Sequence, residues 1–245
     1  MRKIRLFLEE PSLLSGQQVK ISNNNFDYLT KVMRQKSGDR FFVFNGVDGE
    51  FCAEIIAVEK KFLSAQIKEK ISELKKVPNI TLAFAMVKNV GLDFITTKAV
   101  ELGAARLQPI ITNRTIVDKI NYERCKIYIK EAVEQCERND FAEICEIKKL
   151  NKFLMDAQKE EKILILCDES GQASKASEVL KNISADKKEI VILIGPEGGF
   201  TPEEFTKMRA LKNLYSISLG PRILRAETAM VSALSLVQEF LGDWN

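Results

Sequence analysis

Histidine is absent from the 245 residues. That removes the side chain that titrates nearest neutral pH, the commonest general base and a frequent zinc ligand. Any proton transfer falls to Asp, Glu, Lys, Tyr, water or a substrate. The five cysteines, Cys52, Cys125, Cys136, Cys145 and Cys167, are odd in number and form no C-x-x-C pair. Neither structural zinc nor a secreted disulfide framework is expected from them. No run of 18 apolar residues occurs, so no membrane-spanning helix is expected. The opening MRKIRLFLEEP puts charged Arg5, Glu9 and Glu10 where a secretory signal needs its apolar core. These absences together point to a reducing, cytoplasmic setting with no membrane and no metal. Charge imbalance is also small, at +3. Residues 1–75 hold 13 Lys/Arg against 10 Asp/Glu, and the remainder is balanced at 24 against 24. The basic excess therefore sits in the N-terminal third, which suits a polyanion partner and ordinary solubility equally well.

What is present is an ordinary globular composition, 45% hydrophobic and 29% charged, long enough for one large domain or a domain plus a small module. Residues 1–75 read as a small β-rich module. Runs at 3–8, 40–44, 51–58 and 61–67 have strand character, and 24–34 has helical spacing at Phe26, Leu29, Val32 and Met33. Short strands broken by turns predict a compact barrel. The charged stretch 69–79 reads as a linker. From Ile80 the texture changes to alternating strands and helices, the pattern of an α/β domain. Strands are expected at 80–86, 107–111, 163–168, 190–194 and 215–219. Helices are expected from about 92 to 102, at 121–138, at 150–158 and at 176–180, the first capped by Gly103.

Two glycine loops organise this second part. GPEGG follows the strand at 190–194, and GPR follows the strand at 215–219. Parallel strands ending in adjacent backbone-rich loops make a ligand crevice in an open α/β sheet. The helix after GPEGG has strong start signals. Thr201 is the expected N-cap, Pro202 the first helical residue and Glu204 the third, with Phe200 and Phe205 as a hydrophobic staple. The loop matches neither G-x-G-x-x-G nor a P-loop, and Glu197 beside its glycines would repel a phosphate. In the second loop Arg222 and Arg225 offer planar forks suited to a nucleobase edge, phosphate or carboxylate. Glu227 stands in the first turn of the helix that follows. Such a crevice suits an uncharged adenine ring and a charged amino-acid tail. Arg225 has two readings at this point, contact with substrate or a structural pair with Glu227.

The segments LIGPEGGFTPEE at 193–204 and SLGPRILRAETA at 218–229 resemble the ribosomal RNA small subunit methyltransferase E family. KAVELGAARLQPIITNRT at 98–115 is similar to its K-x-x-E-L-G segment and downstream arginine. EAVEQCERN at 131–139 is similar to its E-Q-x-x-R segment, and VMR at 32–34 matches an element of its N-terminal module. The likeness runs along essentially the whole chain. It departs at Tyr28-Leu29 and Met33, at Ala142 where a proline is common, and at Gly91-Leu92 where a charge is common. None of these falls in the glycine loops.

The resemblance implies an α/β fold in which a SPOUT-type sheet with a deep trefoil knot, residues 74–245, follows a PUA-like RNA-binding barrel, residues 1–73. It implies S-adenosyl-L-methionine as cofactor and methylation at N3 of one uridine in 16S ribosomal RNA. The RNA would be met free or in the 30S subunit, by a homodimer formed through the C-terminal domain. Ile194, Gly195, Gly198, Gly199, Leu219, Gly220, Leu224 and Arg225 are then the expected cofactor contacts. Arg225, Glu197 and Glu227 are the candidates for the chemistry. Arg2, Arg5, Arg34, Arg114 and Arg138 are the candidates for RNA. Two rival classes remain at this level. One is a non-catalytic RNA-binding or ribosome-assembly protein. The other is a nucleotide-dependent doubly wound enzyme, against which the missing fingerprint speaks.

Overall fold

The structure is a computed structural model that describes residues 3–86, 91–116, 119–184 and 188–244. The chain divides into two compact units, Met1–Lys76 with Val133–Phe141, and Val77–Ala132 with Ala142–Asn245. The segment Val133–Phe141 thus groups with the first unit, although sequence reading placed it in the second.

Five strands make the sheet of the first unit. They are β1 (Arg5–Phe7), β2 (Gln18–Ser22), β3 (Arg40–Phe44), β4 (Glu50–Val58) and β5 (Phe62–Ser72), in the order β1-β3-β4-β5-β2. β1 runs parallel to β3, and the other pairs are antiparallel. Alternation sets which side chains enter the core. Val19 and Ile21 of β2 go in with Phe41 and Val43 of β3 and Leu63, Ala65 and Ile67 of β5. β4 carries register shifts, including one between Ile55 and Ala57; bulges of this kind bend a strand and sharpen its twist. Helix α1 (Asn23–Asp27) continues into a π-helical turn at Tyr28–Val32 and sends Phe26 and Leu29 into the same core.

The second unit is a parallel sheet. Its strands are β6 (Ile80–Ala85), β7 (Arg106–Ile111), β8 (Glu143–Ile144), β9 (Lys148–Lys149), β10 (Ile163–Cys167), β11 (Ser174–Lys175), β12 (Ile190–Ile194) and β13 (Leu214–Ser218). Their order is β11-β13-β10-β12-β6-β7-β8, with β9 also on β7. β6 and β12 are buried at every position and β10 at four of five. Strands covered on both faces need apolar side chains on both, which explains their unbroken ITLAFA, ILILC and IVILI texture. The helices are α2 (Leu92–Glu101), α3 (Tyr122–Gln135, whose last turn from Val133 belongs to the first unit), α4 (Leu150–Lys159), α5 (Ala176–Leu180), α6 (Pro202–Arg209) and α7 (Ala226–Leu241). α7 packs on α2, α5 and β12. Gly103 ends α2 in the left-handed region at φ +79°, and the buried Gln238 of α7 donates to the Leu102 carbonyl at 2.8 Å.

β12 and β13 are not neighbours. β10 lies between them, with Leu164 in register with Val191 on one side and Leu214 on the other. All three run parallel, so their C-terminal ends still share one edge of the sheet.

Candidate active site

A cavity of about 270 Å³ opens at that edge. It is walled by the ends of β10, β12 and β13 and by the first turn of α7. Of the expected cofactor contacts, Ile194, Gly195, Gly199, Leu219, Gly220, Leu224 and Arg225 all line it. Gly198 stands apart from the wall. Its carbonyl accepts from Nη1 of Arg114, and a Cβ there would lie 3.4 Å from Arg114 Cδ.

The β12–α6 loop is held by the devices expected of it. Thr201 caps α6, with its hydroxyl accepting from Glu204 N at 3.3 Å. Glu204 Oε2 accepts from Thr201 N at 2.8 Å, and Phe200 and Phe205 meet edge to face at 5.7 Å. The loop also needs glycine. A Cβ on Gly195 would come within 3.0 Å of the Phe200 ring, and Gly199 sits at φ +66°. In the second loop Gly220 adopts φ +112°, open in practice only to glycine.

The end of β10 supplies a wall that sequence reading did not assign. Cys167, Asp168 and Glu169 line the cavity. Burial pushes the Cys167 thiol up to about 12, so it is a neutral, weakly polar surface and not a nucleophile. Burial also pushes the Asp168 carboxyl up, but the Ser170 hydroxyl and backbone N–H and the Arg209 guanidinium outweigh it and hold the group below the usual carboxylate range. Arg209 Nη2 lies 2.7 Å from Asp168 Oδ2, and Ser170 N lies 2.8 Å from Oδ1. Asp168 is therefore an engaged anion that fixes the floor. Its signal was an acid ending an apolar strand; its placement depended on β10 lying between the two loop-bearing strands.

Arg225 is the N-cap residue of α7. Among the described residues no hydrogen bond or ion pair engages its guanidinium, and none joins it to Glu227. Arg222 and Glu197 also line the cavity and are exposed. Glu227 is half-buried in the first turn of α7 and is not part of the wall.

The five candidate RNA arginines separate. Arg2 lies outside the described residues. Arg34 is exposed just past the π-helical turn, at φ +54°. Arg114 is exposed in the turn after β7 and reaches the β12–α6 loop. Arg138 is half-buried, with a two-point pair to Asp140 at 2.9 and 3.0 Å. Arg5 requires correction. It is only 4% exposed. Its Nε lies 2.5 Å from Glu50, Nη1 donates to the Val133 carbonyl and Nη2 to the Arg138 carbonyl, each at 2.9 Å. Phe44 lies under its plane at 4.5 Å. The last carbonyls of a helix lack partners within the helix, and Arg5 supplies them at the end of α3. No face of it is left for a phosphate.

The model for the RNA methyltransferase domain matches residues 73–238, and that for the RNA methyltransferase PUA domain matches residues 21–68. The ribosomal RNA small subunit methyltransferase E of Rickettsia conorii is 35% identical over 229 residues, covering 89% of this chain and 87% of the relative. Among solved structures, a Legionella pneumophila protein in complex with the bound cofactor SAM is 32% identical, with 98% of both chains covered and a TM-score of 0.84. The ribosomal RNA small subunit methyltransferase E of Neisseria gonorrhoeae, bound to S-adenosyl methionine, is 28% identical over the full length of both chains with a TM-score of 0.86. The chain belongs to the ribosomal RNA small subunit methyltransferase E family.

Proposed function

We propose that this protein transfers a methyl group from S-adenosyl-L-methionine to N3 of one uridine in 16S ribosomal RNA, acting in the cytoplasm as a homodimer formed through residues 74–245. Residues 1–73 would hold the RNA, and the Gly220–Arg225 loop would help form a knot. The reading is carried by the cavity at the ends of β10, β12 and β13, in a chain whose near full-length structural relatives hold S-adenosylmethionine.

The wall suits that cofactor. Glycine turns expose backbone donors and acceptors at Gly195 and Gly220. Ile194, Leu219, Leu224 and the neutral Cys167 thiol give an apolar surface for an adenine ring. Arg222 and Glu169 offer both signs of charge for an amino-acid end. When bound, S-adenosylmethionine supplies an electrophilic methyl group on sulfonium.

The protein's part is to prepare the nucleophile. The uridine imide is neutral near pH 7, so N3 must lose its proton as it attacks. Arg225, on the cavity wall, would stabilise the negative charge that develops on O2 or O4, as a preorganised donor does for an oxyanion. Glu197, on the wall, accepts the proton directly or through water, with Glu227 as the alternative acceptor one step back on α7. Arg34 and Arg114 hold phosphates, and the target base leaves its stack at a cost of a few kcal/mol, less where the RNA is already single-stranded.

Purified protein incubated with methyl-labelled S-adenosylmethionine and either 16S RNA or 30S particles from a strain lacking this modification should label one uridine at N3, located by nuclease digestion and mass spectrometry. Label at another base, or at another atom of uridine, would reject the assigned position. No label on either substrate would reject the reading.

A further inference from the structure

Glu204 makes one bond more than a helix cap requires. A third-position glutamate in a capping box needs a single oxygen, the one accepting from the cap residue's N–H. Here Oε2 does that at 2.8 Å from Thr201 N. The second oxygen, Oε1, accepts from Asn113 N at 2.8 Å. Asn113 belongs to the turn after β7, and β6 separates β7 from β12 in the sheet. One carboxylate, 5% exposed, therefore joins loops from two strands that do not pair with each other.

The turn it grips is internally tied. Thr112 N donates to Thr115 Oγ1 at 2.9 Å, and Arg114 N donates to Thr112 Oγ1 at 3.3 Å. The Asn113 N–H is thus presented by a closed turn. A second tie runs the same way, from Arg114 Nη1 to the Gly198 carbonyl, with the arginine stem lying along Gly198.

We propose that Glu204 is a positioning residue for methyl transfer, clasping the turn at Asn113 to the glycine loop at Gly195–Gly199 and so setting the shape of the donor cavity. The inference rests on the reading of that cavity as the methyl-donor site. It is specific to a carboxylate. Glutamine has nearly the same shape but one acceptor oxygen, and its amide N–H₂ would face a backbone N–H at the other arm.

The test uses the full-length protein as wild type, Glu204→Gln and Thr201→Ala. Hydrogen exchange without ligand reads the clasp directly. In Glu204→Gln the amides at 113–115 and 197–201 should exchange about tenfold faster or more. S-adenosylmethionine affinity, measured by titration, should fall about tenfold, with the KM for 16S RNA or 30S particles within about twofold of wild type. Thr201→Ala removes the cap hydroxyl but leaves the Asn113 bond. It should loosen the start of α6 and keep affinity within about twofold. Glu204→Gln with wild-type exchange at both loops, or the two variants behaving alike, would reduce Glu204 to a cap and overturn the proposal. If Glu204→Gln does not fold, Thr112→Val removes the Thr112 hydroxyl that Arg114 N donates to and should loosen both loops. Unchanged exchange there overturns the proposal equally. Wild-type protein that takes up no S-adenosylmethionine would sink the reading of the cavity, while the ligand-free exchange result still decides the clasp.

Discussion

Arg225→Ala should lower the rate constant for methyl transfer by about 100-fold or more, the loss seen when one preorganised donor to a developing oxyanion is removed. Three features lead to this number. Arg225 lines the cavity. Its backbone is fixed as the N-cap of α7, where its carbonyl accepts from Ala229 N at 2.9 Å. Its guanidinium has no partner among the described residues, so its donors are available to a substrate. The structural alternative, a pair with Glu227, is not formed among the described residues. Arg225→Lys should recover only part of the rate, because an ammonium keeps the charge but not the planar fork. Single-turnover methyl transfer at saturating cofactor separates the chemical step from binding. A wild-type rate in Arg225→Ala would remove this residue from the chemistry. A fall in melting temperature with no fall in rate would restore the structural role.

Arg5→Ala should act on stability, by about 3–5 kcal/mol, because it strands Glu50 as an unpaired buried charge. The side chains of Arg5 and Glu50 are only 2% and 9% exposed, and their contact is 2.5 Å. The same change removes the donor to the Val133 carbonyl in the last turn of α3 and to the Arg138 carbonyl just beyond it. A fall in melting temperature on the order of 10 °C is expected for a chain of this size. Arg5→Ala combined with Glu50→Gln should recover part of the loss, since the stranded charge is gone. Arg34→Gln gives the contrast. It keeps the melting temperature but weakens 16S RNA binding and lowers the salt dependence by about one counterion. An Arg5→Ala protein of normal stability with weakened RNA binding would reinstate Arg5 as a phosphate contact.

These two arginines show where the sequence was legible and where it was not. The start of α6 could be read to the residue, because Thr201, Pro202, Glu204 and the two phenylalanines act within one turn of each other. The apolar strands of the second unit were legible for a related reason. Burial on both faces leaves a continuous run that no turn or surface helix produces. β8, β9 and β11, two residues each, have no period to detect. β2 does alternate, but its polar QVKIS texture hid it between loops.

Arg5 failed for want of local information. Its partners lie 45 to 133 positions away, and a charged residue in a three-residue edge strand looks like solvent-facing charge until those partners are known. The same limit applied to the site. Both glycine loops were visible as motifs, whereas Asp168 was not placed, because strand order in a parallel sheet with crossovers does not follow chain order. β10 enters between β12 and β13 and brings Cys167, Asp168 and Glu169 with it. The second bond of Glu204 was invisible for that reason too. Its capping role is local, and its reach to Asn113 spans 91 positions.

Titration of S-adenosylmethionine into the wild-type protein, followed by hydrogen exchange of the saturated complex, probes the donor cavity most directly. One binding event per chain is expected, with slowed exchange at residues 194–200 and 219–226. Absence of binding heat, or protection confined to other parts of the chain, would contradict it.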